Sequence, residues 1–188
     1  MRYLLFFLAF SACAADNSIS IDQVGSYNTV VISQDGTAHD ATVQLGKNSS
    51  VDNTSIAIDQ KDSGKKIANV EIISGINNGV NILQQGAGNH SAAIQNLSGT
   101  ANNISINQTG AGNHSMAIVG GAGTTNNANT ITAEQSGGSG ADKTFQLNLN
   151  GTTGATVNVQ QTNPTQSNTG NMNIQCSSGC GTYNYIRQ

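Results

Sequence analysis

Apolar and polar residues alternate along much of the chain, in short runs that end at a Gln and a Gly. The run from Ile19 to Gly25 is typical. A period of two is the period of a β-strand, so Ile19, Ile21 and Gln23 are expected on one face of a strand. The segment from Gly25 to Asn28 is predicted to be a turn, because Gly and Asn tolerate positive φ.

The same alternation, progressively degraded, returns at intervals of about 10 to 15 residues. It predicts about thirteen short strands, centred near Ile21, Ile32, Val43, Ile58, Ile72, Ile82, Ile94, Ile106, Ile118, Ala133, Leu147, Val159 and Ile174. Two strands per turn would give about six stacked turns, with a rise of about 4.8 Å per turn.

Segments that recur almost unchanged at a fixed spacing along the sequence favour a solenoid over other all-β folds. The segment that begins at Gln84 recurs at Gln108, 24 residues later. Stacking of successive turns would place Gln84 over Gln108 and Asn89 over Asn113, where like amides can bond along the stack. Neither a sandwich nor an antiparallel barrel requires matching residues to recur at a fixed spacing. We therefore predict an all-β solenoid with amyloid-like stacking.

The phase of the repeat is open in the first half of the chain. Gln23 and Gln84 are separated by an odd number of predicted strands, whereas Gln84 and Gln108 are separated by two. Either one strand within residues 49–80 is misassigned or the first half of the chain is shifted by one strand.

Composition argues against an ordinary globular domain. Charged residues make up 9% of the chain and aromatic residues 4%, with one Pro and no Trp, whereas an average soluble domain has about 25% charged residues. A disordered chain would carry a higher net charge than the −3 found here. Polar, uncharged chains of this kind can become ordered when their amides pair in stacked ladders.

Residues 1–15 are predicted to be an export signal, which leaves residues 16–188 as the mature repeat domain. Arg2 is a minimal basic region, an apolar run extends from Tyr3 to Phe10, and small residues follow as far as Ala15. An apolar run of this length is too short to span a bilayer. The alternative is a lipidated N-terminus at Cys13.

Cleavage of that signal would leave Cys176 and Cys180 as the cysteines of the mature chain. An even pair in an oxidising compartment favours a disulfide. The closed loop is small, so the bond would fix the chain end more than it restricts the unfolded state. Zinc is disfavoured because no further ligands lie nearby in the sequence.

The segment from Ile21 to Gly36 resembles the curlin repeat, in which an alternating apolar strand is followed by Gln-x-Gly-x-x-Asn and a second strand. The same pattern returns from Gln84 to Asn89 and from Gln108 to Asn113. The resemblance implies a secreted amyloid subunit of Gram-negative bacteria that is exported through an outer-membrane pore with accessory proteins. It also implies polymerisation with itself, and with a related or nucleating subunit, into extracellular fibres of the biofilm matrix that serve in adhesion.

Several features depart from the curlin pattern. They are Pro164, the loop from Cys176 to Cys180, the charged segment from Lys61 to Lys66 and the Gly-rich segment from Gly120 to Gly123. They leave open whether the chain is a major, minor or nucleating subunit. We expect the outward charges Lys61, Asp62, Lys65 and Lys66 to slow assembly until export is complete.

The candidate functional residues are the amides of the ladders. They are Gln23, Asn28, Gln34, Gln84, Asn89, Gln108, Asn113 and Gln135. Repeated in each turn and continued into the next copy, their hydrogen bonds would set the register and support templated growth.

Other candidate sites have weaker support. His90 and His114 would lie one turn apart, which suggests a metal or pH-sensitive site, but each follows a turn Asn and is expected to face solvent. The segment from Gly137 to Asp142 resembles half of a calcium-binding nonapeptide. It occurs once, which favours a flexible connection.

Enzymatic and nucleic-acid functions are not expected. No two carboxylates recur at the turn spacing as a glycosidase pair would require, and the seven Lys and Arg residues form no basic stripe. We therefore expect no enzyme, no cofactor and no small-molecule substrate. The competing class is a non-polymerising β-solenoid, such as an adhesin.

Overall fold

The computed structural model describes residues 6–8, 16–46, 51–72, 75–76, 78–95, 99–100, 102–120 and 126–188. Most of the predicted export signal and most of the Gly-rich segment from Gly120 to Gly123 therefore lie outside the described residues.

The described residues form β-strands joined by turns. The strands are β1 (Phe6–Leu8), β2 (Ser18–Asp22), β3 (Thr29–Gly36), β4 (Asp40–Gln44), β5 (Ser55–Asp62), β6 (Lys66–Glu71), β7 (Gly75–Ile76), β8 (Gly79–Gln85), β9 (His90–Gln95), β10 (Gly99–Thr100), β11 (Asn103–Gly110), β12 (His114–Gly120), β13 (Thr130–Gly137), β14 (Lys143–Asn150), β15 (Thr156–Gln161), β16 (Asn168–Gln175) and β17 (Thr182–Arg187).

Two parallel sheets face each other. Sheet A has the order β1-β3-β5-β8-β11-β13-β15-β17, and sheet B has the order β2-β4-β6-β9-β12-β14-β16. The short strands β7 and β10 pair separately. From β2 onward the chain passes back and forth between sheets A and B, so it winds as a β-solenoid. The predicted all-β solenoid of about six turns is confirmed.

The alternation in the sequence determines which residues are buried between the sheets. In β11, Ile104, Ile106 and Gln108 point inward and are at most 1% exposed, while the residues between them point outward. Aliphatic side chains of sheet B, such as Ile94 and Ile118, are also fully buried. One continuous apolar core therefore runs along the stack.

The predicted strand centres agree with the structure. Each lies inside a strand except Ile72, which directly follows β6. The alternation around Tyr183 and Tyr185 was missed, and β17 there pairs with β15 as a further strand of sheet A. The short strands β1, β7 and β10 were also missed.

The structure settles the phase of the repeat. Gln34 in β3 is level with Gln60 in β5, and Gln60 is level with Gln84 in β8. Gln23 follows β2, which belongs to the opposite sheet. The first match to the Gln-x-Gly pattern is therefore shifted by one strand relative to the later matches.

Candidate self-assembly site

A continuous ladder of glutamine side chains runs through the solenoid along sheet A. In every member but the last, Nε2 donates to Oε1 of the Gln in the next turn, at 2.8 to 2.9 Å. The members are Gln34, Gln60, Gln84, Gln108, Gln135 and Gln161. All except Gln34 are fully buried.

The same side chains also join the two sheets. Gln84 Nε2 donates to Ile67 O at 2.9 Å, and Gln108 Nε2 donates to Ser91 O at 2.9 Å. Both acceptors belong to sheet B. Each of these amides thus bonds along the stack and across it, which satisfies its polar atoms in the buried interior.

The two ends of this ladder differ. Gln34 is half-buried, and its Nε2 donates to Ser18 O at 3.1 Å as well as to Gln60. Among the described residues, none donates to Gln34 Oε1. At the other end the residue level with Gln161 is Arg187, an exposed residue, so the register continues with Arg instead of Gln.

A second, asparagine-based ladder lines the turns that lead from sheet B to sheet A. Asn28 is 4% exposed, and its Oδ1 accepts from Thr54 N at 2.9 Å. Asn102 Oδ1 accepts from Asn129 N at 3.2 Å, and Asn129 Oδ1 accepts from Ala155 N at 2.9 Å. These contacts tie the corners of successive turns together.

Asn89 and Asn113 stack at the opposite corner, on the surface. Asn89 N donates to Asn113 Oδ1 at 3.1 Å, and Asn113 N donates to Asp142 Oδ1 at 2.8 Å. The interpretation that placed Asn28 in one class with these two residues is wrong, because Asn28 leads into sheet A whereas Asn89 and Asn113 lead into sheet B.

Gln23 does not join the glutamine ladder. It is half-buried beyond the end of β2, where the backbone of Asp22 accepts from Leu45 N. Its grouping with Gln84 and Gln108 is wrong, because a Gln followed by Gly occurs at both kinds of corner. The structure brings together Gln34, Gln84, Gln108 and Gln135 from the predicted set.

The ladder contains two members, Gln60 and Gln161, that the sequence analysis missed. Each closes an alternating run, the first after Ile56 and Ile58 and the second after Val157 and Val159. A search for Gln at the end of an alternating run, without the following Gly, would have found both.

The expectation that His90 and His114 face solvent is wrong. They are 1% and 2% exposed, and their rings stack with centroids 4.9 Å apart. The turn ends at the preceding Asn, so each histidine is the first residue of its strand and the first whose side chain points inward. Lys66 occupies the same position in β6 and is fully buried, so it is not one of the outward charges.

Cys176 and Cys180 form a disulfide in the turn between β16 and β17. Cys176 O accepts from Thr153 N, and Cys180 N donates to Thr153 O, both at 3.2 Å. In β17, the ring of Tyr185 lies 4.7 Å from that of Phe145. The bridged loop is therefore held against the preceding turn.

The remaining candidate sites provide no ligand set. The segment from Gly137 to Asp142 forms a turn in which Ala141 N donates to Gly138 O at 3.0 Å. Within the part of the chain that the structure describes, no three His, Cys, Asp or Glu residues are grouped to hold a metal ion. The described residues also include no helix long and apolar enough to cross a membrane.

Comparison with known families identifies the repeat. Residues 14–44 match the family described as Curlin associated repeat, a span that includes β2, β3 and β4. The match confirms the resemblance, and this family consists of structural fibre subunits associated with extracellular curli fibres. No curated protein and no solved structure matches the chain.

Proposed function

We propose that this curlin-repeat chain is a secreted structural subunit that assembles with itself into extracellular, curli-like amyloid fibres of a biofilm matrix. The observation that carries the proposal is the buried glutamine ladder, which runs in register along parallel strands from Gln34 to Gln161. Parallel, in-register stacking of like amides is the arrangement of cross-β fibres.

Growth would use the backbone of the end strands. Beyond residue 15 the first strands are β2 in sheet B and β3 in sheet A, and the last are β16 and β17. Edge strands of this kind present N–H and C=O groups to another chain. In the described structure β1 pairs with β3, so removal of residues 1–15 as an export signal would expose that edge.

The two ends complement each other chemically. Arg187 is level with the glutamine ladder, and its guanidinium is a donor. Gln34 Oε1 is an acceptor at the opposite end of the same ladder. The first turn of one copy, placed on the last turn of another, would therefore be joined to it by a hydrogen bond from Arg187 to Gln34 Oε1.

The last turn also favours a second candidate, a minor or nucleating subunit. Tyr183 and Tyr185 replace the aliphatic residues that fill these positions in the preceding strand, Val157 and Val159. An end turn with this different chemistry suits contact with a related subunit. Co-assembly with a separate major subunit, in the absence of fibres from this chain alone, would support this candidate.

The proposal is tested with mature chain, residues 16–188, incubated alone at micromolar concentration. We expect fibres in electron micrographs that show reflections at about 4.7 Å and about 10 Å. Preformed fibres should abolish the lag of a fresh solution. Folded monomers that persist under these conditions would contradict self-assembly and favour the non-polymerising adhesin.

A further prediction concerns the outward charges beside β5. Lys61 is 40% exposed and pairs with Asp59 at 2.5 Å, and Lys65 is exposed. Serine at Lys61 and Lys65 should shorten the lag of fibre formation, because charges near strands oppose association. An unchanged or longer lag would count against this role.

Lys66→Ser is the matched control for the outward lysines. It removes the same charge, but from a buried position where Nζ donates to four backbone carbonyls. We expect this variant to lose stability of the folded state, which the Lys61 and Lys65 variants should keep.

A further inference from the structure

Five basic side chains form a buried column at the turns that lead from sheet A to sheet B. Register places Lys66, His90, His114 and Lys143 level with one another in successive turns. His39 is level with Lys66, because the next residue, Asp40, pairs with Ile67. All five are at most 2% exposed. We call His39, Lys66, His90, His114 and Lys143 the basic column.

The two lysines are held by backbone oxygens. Lys66 Nζ donates to Ser63 O, Gly64 O, Gly86 O and Gly88 O at 2.6 to 3.2 Å. Lys143 Nζ donates to Asn163 O at 2.8 Å and to Gln166 O. Burial lowers the pKa of Lys66 to about 8 and also lowers the pKa of Lys143. The backbone oxygens around each Nζ are acceptors that suit the ammonium form.

The three histidines have few partners for a second ring proton. Neither ring nitrogen of His90 makes a well-formed hydrogen bond, nor does Nδ1 of His39 or of His114. Nearby backbone groups still favour protonation to a lesser degree than burial opposes it, those of Gly110 and Gly112 at His90 and that of Asp62 at His39. Nε2 of His114 lies 2.9 Å from Thr109 O, and Nε2 of His39 lies 3.3 Å from Asp35 O. A neutral ring carries one N–H and needs one acceptor, whereas an imidazolium carries two and needs acceptors at both nitrogens.

The charges around His90 oppose its protonation. His90 faces Lys66 of β6 on one side and His114 of β12 on the other. Burial, followed by these two groups, lowers the pKa of His90 to about 3.

His114 and His39 have mixed charged surroundings. His114 lies near Lys143, which opposes its protonation, and near Asp142, which favours it. His39 lies near Lys66 and Asp35, with the backbone of Asp62 as a further acceptor. In both residues burial has the largest effect on the pKa, and it lowers the pKa.

We propose that the basic column is an acid switch, which permits the stacked turns at neutral pH and opens the corners between sheets A and B under acid conditions. In an unfolded chain the histidines would take up protons below about pH 6.5. In the stack they stay neutral at lower pH, because a second proton would add a buried positive charge between ammonium ions.

The direction of the effect follows from proton binding. When the pKa of a histidine is lower in the folded chain than in the unfolded chain, the unfolded chain binds more protons below about pH 6.5. The free energy of unfolding therefore falls as the pH falls. One such group lowers the ratio of folded to unfolded chain about tenfold per pH unit, and three lower it up to about a thousandfold. Lys66 is protonated in both states in this range and contributes no slope.

The test follows the urea midpoint of freshly folded mature chain by its β-sheet circular dichroism, from about pH 7.5 to about pH 4.5. We expect the ratio of folded to unfolded chain to fall at least about tenfold per pH unit below about pH 6. The double variant His90→Gln/His114→Gln should lose most of this slope, whatever its stability at neutral pH. Asn81→His adds an exposed histidine on β8 and should keep the wild-type slope.

A pH-independent midpoint in the wild type, or an unchanged slope in the double variant, would overturn the switch. If the double variant does not fold, NMR titration of the wild-type histidines decides: none should titrate near pH 6.5 while the chain is folded, and a folded His90 or His114 that does so refutes the proposal. Control of assembly by this switch rests on the proposed function. Absence of fibres at every pH would refute that function alone, because the stability measurement needs no fibre.

Discussion

Alanine at Gly110 is expected to destabilise the folded chain by about 3 kcal/mol, from backbone strain and steric overlap together. Gly110 has a φ of +108°, which L side chains rarely adopt. A Cβ there would lie 2.3 Å from the carbonyl oxygen of Gly137 in the next turn. The two turns cannot separate locally without losing the Gln108-to-Gln135 hydrogen bond at 2.8 Å. Urea denaturation followed by circular dichroism measures the loss.

Gly140→Ala is the matched control for Gly110→Ala. Gly140 also has a positive φ, +78°, but a Cβ there would meet nothing within 4 Å. Gly140→Ala should therefore lower the free energy of unfolding only by the conformational penalty of about 1 kcal/mol. Equal losses in the two variants would contradict the view that the close approach of successive turns excludes side chains at Gly110.

Alanine at Gln84 is expected to destabilise the fold by about 1 to 3 kcal/mol, because buried polar partners are left unsatisfied. The variant removes the donor to Gln108 Oε1 and to Ile67 O, and the acceptor for Gln60 Nε2. Under the proposed function it should also slow seeded elongation, because an incoming chain must form the same ladder to become ordered. Urea midpoints and elongation rates on wild-type seeds measure the two effects.

Gln85→Ala provides a control with the same residue type one position further along β8. Gln85 points outward and is exposed, so its removal should change stability by at most about 0.5 kcal/mol. If Gln85→Ala slowed elongation as much as Gln84→Ala, the inward ladder would not be the structure that carries growth.

The fold could be predicted because one signal, the alternation of apolar and polar residues, specifies each strand. Ile104 and Ile106 are buried in register with Val80 and Ile82, and the 24-residue offset indicated that arrangement. Because side chains alternate between the two faces of a strand, the two-residue period shows which residues point inward and which point outward. The inward position of Gln84 and Gln108 followed in the same way.

The corners could not be predicted in the same way. A Gln followed by Gly and Asn reads identically at both kinds of corner, so Asn28 and Asn89 were placed in one class although they lead into opposite sheets. The burial of His90 depends on where the turn ends and the strand alternation begins, a difference of one residue. Lys66 was assigned outward because charge usually indicates exposure, whereas turn carbonyls from two successive turns enclose its ammonium group.

The contact between copies in a fibre shows whether successive copies continue one stack. Fibres grown from an equal mixture of ¹³C-labelled and ¹⁵N-labelled mature chain would be examined by solid-state NMR for transfer between molecules. We expect an intermolecular contact between the Arg187 guanidinium and the Gln34 side-chain amide, together with parallel pairing of β17 with β3 of the next copy. Fibres that lack this contact, or that join copies through the outward faces of the sheets, would contradict it.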